Sequence, residues 1–167
     1  MDILVFSIIG IVSRLVPHLP NATAVGAIAL FSGAKLGLKK AFTITLVTML
    51  VSDVFRGLHT TMWATYGALF VTIVLGNSLL KKQSILTVSA VTLLSSFLFY
   101  LITNFAVWMS PQFMYPKTMS GLVECYVMGL PFFKNTLLGD FTYSGIFFWG
   151  YELVVSLTTG KAFKNAG

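Results

Sequence analysis

Cysteine is almost missing from this chain: Cys125 stands alone among 167 residues, which excludes an internal disulfide framework and leaves no Cys/His grouping with metal-ligand spacing. No structural metal and no cofactor are expected. Charge is scarce as well. Asp, Glu, Lys and Arg make up 10% of the chain, against roughly 25% in soluble domains. Catalytic signatures are missing too: there is no GxxxxGK[ST] phosphate loop, no HExxH and no GxSxG, so neither ATP hydrolysis nor a familiar hydrolase chemistry is encoded. The two histidines sit in no recognisable catalytic motif, and an enzyme is not expected. The two halves also lack the paired broken helices of many secondary transporters.

What is abundant is apolar surface, at 56% hydrophobic residues with fifteen Phe, six Tyr and three Trp. The sequence reads as a single integral membrane domain, residues 1–167, of the all-α class. A helix needs about 20 apolar residues to cross roughly 30 Å of hydrocarbon, and the charged positions divide the chain into six blocks: 3–16, 22–38, 41–57, 63–80, 84–109 and 133–158. The expectation is a six-transmembrane-helix bundle. The alternative is five spans, with block one, short and anchored by a snorkelling Arg14, lying in the interface as a sixth helix. Asp2 gives block one no basic leader, which argues against a cleaved signal peptide.

The net charge of +6 is read as topology rather than nucleic-acid binding. With six alternating spans, Lys35, Lys39, Lys40, Lys81, Lys82, Lys161 and Lys164 share one side, while Arg14, Arg56, Lys117 and Lys134 share the other. Seven against four places both termini in the cytoplasm by the positive-inside rule, in the cytoplasmic (inner) membrane.

That orientation gathers polar groups at the outer ends of the helices. They are Pro17, His18 and Asn21 in the first turn, Ser52 to His59 in the second, and Asn104, Trp108 and Tyr115 in the third. Polar groups beside hydrocarbon are costly and face a bundle interior or wet cavity, so an outward pocket is expected, against the alternative of an ordinary interfacial belt. Asp53 and Arg56, three residues apart, either pair with each other or open toward a ligand. Tyr100, Asn104 and Trp108 recur at steps of four, as a ligand-stacking face or as a helix contact with one polar tie. Asp140, on one face with Tyr143 and Phe147, is a ligand or proton site or, by preference, the partner of Lys134 or Arg56. His59 completes the candidate set. Glu152, nearer the cytoplasmic end, reads as a coupling or interfacial residue.

Ala29, Gly33 and Gly37 form a small-residue stripe in block two, and Ser7, Gly10 and Ser13 a less regular one in block one. Such faces admit close backbone contact, inside the chain or with a partner subunit. The connection 110–132 is long for a bundle and is expected to be structured, either as a lid over the pocket or as a passive interfacial helix.

Residues 20–57, PNATAVGAIALFSGAKLGLKKAFTITLVTMLVSDVFRG, resemble the segment of substrate-binding S components of energy-coupling-factor (ECF) vitamin transporters in which a small-residue helix leads to one ending in Ser-Asp and Gly. Through NFAVW, YPKTMSGLVECY and PFFKNTLLGD nearly the whole chain also resembles a bacterial family of uncharacterised small membrane proteins assigned to transport by description alone. The first resemblance implies a six-helix bundle that binds a vitamin-like nutrient near its outer face, with Asp53 and its neighbours at the ligand. It also implies a separate transmembrane coupling subunit with two ATPases as partners. The stripe in block one departs from the AxxxA-like contact helix of many S components. The leading expectation is therefore a substrate-binding subunit for a small flat or zwitterionic nutrient. Its rivals are a structural or assembly subunit without a pocket, and a stand-alone carrier.

Overall fold

The structure is a computed structural model that describes residues 2–113 and 115–159. The described residues are all-helical: α1 (Asp2–Leu15), α2 (Val25–Lys35), α3 (Leu38–Arg56), α4 (Met62–Leu79), α5 (Ile85–Met109) and α6 (Met119–Thr159), with one 3-10 turn at Pro111–Phe113. Of these, α4 and α5 are long and apolar enough to cross a membrane. The 14 residues of α1 span about 21 Å at 1.5 Å per residue, in keeping with a short first block. Lys161 and Lys164 lie outside the described residues.

The last helix departs from expectation. The connection read as 110–132 is helical from Met119 onward, and α6 runs 41 residues straight through Pro131. Thr118 supplies the start: its Oγ1 accepts from the Gly121 backbone N at 3.2 Å, as a Thr N-cap does. Pro131 removes one backbone donor and crowds the carbonyl four residues earlier, yet the helix continues through it. The true connection is 110–118, where Trp108 Nε1 donates to the Pro116 carbonyl at 2.8 Å and Lys117 Nζ caps the Trp108 carbonyl.

Successive helices alternate in direction. At one end, Arg14 of α1 meets Asp53 of α3; at the other, Asp2 of α1 meets Lys40 of α3, and Lys35 of α2 meets Glu152 of α6 at 2.5 Å. Helix α2 is central, every residue from Ala27 to Gly33 being buried. It crosses α4 where Gly33 faces the Ile73 backbone and Gly76 faces the Leu30 backbone, each too close for a Cβ.

These contacts revise the small-residue stripes as partner-packing faces. Gly10 lies against the Thr48 side chain, with no room for a Cβ, and so serves the α1–α3 contact, while Ser7 is buried within the bundle. Ala29 and Gly33 are buried within the bundle. Gly37 stands beyond α2 altogether: it caps the start of α3 at φ +82°, a left-handed conformation that favours glycine and breaks the i, i+4 spacing after Gly33. The exposed helix faces carry Leu4, Ile8, Val12, Leu50, Val54 and Leu138, an apolar exterior of the kind a lipid or protein environment covers.

Candidate functional site

Arg14 organises the end of the bundle where α1, α3 and α5 finish. Its Nη2 lies 2.7 Å from Asp53 Oδ1, and its Nη1 donates to Ser52 Oγ at 2.5 Å. Tyr66 of α4 donates to the other Asp53 oxygen at 2.8 Å. Asp53 is 1% exposed, so its carboxylate exists only because two elements bring it a cation and a hydroxyl.

The Asp53–Arg56 pair allowed by the three-residue spacing is not made. Arg56, at the last turn of α3 before Gly57 takes a positive φ, turns outward and donates to the Arg14 carbonyl at 2.7 Å. Arg14 is thus not a snorkelling anchor but the partly buried partner of Asp53. Only one of the two guanidinium groups reaches the carboxylate: among the described residues no carboxylate lies within 4.0 Å of Arg56.

Two cavities meet at this cluster. The inner one, about 100 Å³, is lined by Arg14, His18, Asn21, Arg56 and Asp140, with Phe99 and a set of Ser and Thr hydroxyls. The outer one, about 650 Å³, is lined by Asn21, Asp53, Arg56, His59, Asn104 and Tyr115, among others. Arg14, Asn21, Arg56, Thr65 and Phe99 border both. Asn21 reaches this position from a backbone at φ +67°, which Asn tolerates better than most residues. His18 Nδ1 lies 2.6 Å from the Val16 carbonyl.

Asp140 departs from its expected pairing. It is 7% exposed, and Ser96 Oγ donates to its Oδ2 at 2.7 Å. Among the described residues no cation lies within 4.0 Å of it. Lys134, six positions earlier on α6 and hence on another face, is exposed.

Eight of the ten residues expected at a ligand therefore border the two cavities: His18, Asn21, Asp53, Arg56, His59, Asn104, Tyr115 and Asp140. The other two do not. Tyr100 is buried, donating to the Tyr126 carbonyl at 2.6 Å with its ring against Phe133 at 4.7 Å; it ties α5 to α6. Trp108 holds the 110–118 connection and packs on Phe105. The face Tyr100, Asn104, Trp108 thus acts chiefly as a helix contact, with Asn104 at its cavity edge, where Gly129 leaves room for the amide. The residues the sequence does not single out are Tyr66, which holds Asp53, and, on the lining of the inner cavity, Thr65, Phe99, Thr72, Ser95 and Thr136. Each is of a type common in any helix, and only packing brings the last five to one cavity. Glu152 is spent on Lys35 at the opposite end.

A small all-helical bundle with a charged, two-chambered opening at one end defines the class of this protein. The chain belongs to DUF6580, described as a family of unknown function, whose model matches residues 1–162. No curated protein and no solved structure matches it.

Proposed function

We propose that this chain is a substrate-binding subunit of a membrane uptake system. Its six helices serve as six spans, with both termini in the cytoplasm of a cytoplasmic-membrane protein, and it takes a small nutrient from the outer face without catalysing a reaction. The observation that carries this reading is the pair of adjoining cavities at one end, bordered by eight of the ten residues that the sequence marks for a ligand. Concave sites with a few convergent polar groups are the usual form of small-molecule pockets. The alternating helix directions and the grouping of Lys35, Lys39, Lys40, Lys81 and Lys82 at the opposite end support the orientation. Uptake against a gradient needs energy from partners, and the ECF-like resemblance of residues 20–57 points to a transmembrane coupling subunit with ATPases.

Mass spectrometry of small molecules released from the gently purified protein tests this directly. One nutrient near one per chain, returning as a stabilising ligand in thermal unfolding, is the expected result; at a hundredfold excess over Kd, binding to the native state adds about 2.7 kcal/mol. An empty protein, unmoved by vitamin and nucleobase panels and copurifying with a membrane partner that lacks ATPases, would sink the reading in favour of an assembly subunit. Flux in vesicles holding this chain alone would replace it with a stand-alone carrier.

A further inference from the structure

The inner cavity has an unusual floor. Thr72 Oγ1 donates to the Ala68 carbonyl at 3.1 Å, Ser95 Oγ to the Thr92 carbonyl at 2.9 Å and Thr136 Oγ1 to the Phe132 carbonyl at 3.0 Å. All three hydroxyls, each at least nine-tenths buried and lining the cavity, have spent their single proton on their own helix. What they offer the cavity is oxygen lone pairs. Asp140 adds a carboxylate that is 93% buried, seated where Gly26 lacks a Cβ, with Ser96 as its one hydrogen-bond donor among the described residues, a hydroxyl shared with the Thr92 carbonyl at 2.9 Å. The floor is rich in acceptors and has no cation within 4.0 Å of its carboxylate.

The rim has the opposite character. Arg14 and Arg56 border the same cavity with Asp53 as the only carboxylate within 4.0 Å of either, among the described residues. Arg56 uses Nη1 on the Arg14 carbonyl, leaving its other donors for an anion. Tyr100 and Trp108, the aromatics that the sequence marks for a flat ligand, are committed to helix and loop contacts, which leaves Phe99 as the phenyl ring bordering this cavity.

We propose that the cavity takes a small zwitterion, its ammonium end down on Asp140 and the hydroxyl lone pairs of Thr72, Ser95 and Thr136, its carboxylate or phosphate end up at Arg56. An ammonium carries three donors and no acceptor, which matches an acceptor floor. A buried carboxylate without a cation is costly, and the ligand supplies the missing charge. Charge at both ends confines the ligand to one orientation. This assignment rests on the substrate-binding reading above and narrows its flat-or-zwitterionic alternatives to one.

The test is binding to the purified full chain in detergent, by calorimetry and thermal unfolding. The probes are the amino acids, the ω-amino acids from glycine to 6-aminohexanoate, and phosphoethanolamine, each beside the acid and the amine that lack one charge. Sodium and potassium chloride, and neutral vitamins and nucleobases, complete the panel. The expected result is a zwitterion that binds, with loss of either of its charges weakening it on the order of 100-fold. Asp140→Asn, which keeps an oxygen for Ser96, weakens the zwitterion and its amine analogue but leaves the acid analogue unchanged. Arg56→Gln, at an exposed position, does the reverse. Ser95→Ala and Thr136→Val, which remove lone pairs without touching a charge, weaken the amine arm by about 3- to 10-fold.

A neutral ligand, or a zwitterion indifferent to both charge substitutions, overturns the proposal while leaving a binding subunit in place. A shift by sodium or potassium alone that needs Asp140 overturns it in favour of an inorganic cation site. No ligand of any class, with nothing released from the purified protein, overturns both this assignment and the substrate-binding reading.

Discussion

At the Lys35 end of the bundle Phe31 is fully buried among Phe6, Phe147, Phe148 and Tyr151, with ring centroids 5.2 to 6.0 Å apart, whereas at the Arg14 end the helices part around charge and two cavities. The two ends are built from the same six helices. The difference lies in side-chain volume: large rings fill the space between helices at one end, while at the other Asn, Thr and Ser leave it open. A bundle closed at one end keeps its open end in shape without filling it, which is what a preorganised site needs.

The comparison breaks most visibly if the closed end is hollowed out. Phe31→Ala removes the ring on which four others converge, and large-to-small changes at such sites cost about 3 to 5 kcal/mol. Thermal or denaturant unfolding in detergent is expected to show that loss. A smaller effect than at the open end would mean that the ring cluster is not what closes the bundle.

Next in size is Asp53→Asn. It strands the Arg14 guanidinium, which is 13% exposed, and removing one partner of a buried pair costs about 3 kcal/mol. Arg14→Met in the same chain is expected to recover part of the loss, because it withdraws the uncompensated charge; the coupling from the double-mutant cycle measures the pair. Additive effects would show that the two side chains do not act together at the open end.

Much of this architecture is written in local pattern. Apolar blocks between charges mark five of the six helices to within a few residues, because a charge beside apolar surface must sit at a helix end or find a partner. The exception is α6, where Pro131 reads as a boundary and Thr118, the residue whose side chain starts the helix, is the quieter signal. At the site, residue types are legible and pairings are not. Asp53 could meet Arg56 by spacing alone, but Arg14, 39 positions away, takes it because α1 and α3 run parallel in contact. Likewise the step of four from Tyr100 to Trp108 marks a shared face without saying that α6 covers Tyr100. The acceptor floor lies further still from the sequence, since it needs Thr72 of α4, Ser95 of α5 and Thr136 of α6 together.

The smallest expected effect sharpens the contrast from the closed side. Lys35 pairs with Glu152 at 2.5 Å, with side chains 18% and 16% exposed, and its Nζ lies 4.9 Å from the Tyr151 ring centroid. Water reaches this pair in part and screens it, so Lys35→Gln should cost between the roughly 1 kcal/mol ceiling of exposed pairs and the roughly 3 kcal/mol of a buried one, and less again in 1 M salt, where the Debye length falls to about 3 Å. Asp53→Asn, whose charges are buried, should keep most of its cost under the same salt. If the two substitutions respond alike to salt, the distinction between a closed end held by rings and an open end held by a buried ion pair fails. If only Lys35→Gln responds, charge is structural at the open end and peripheral at the closed one.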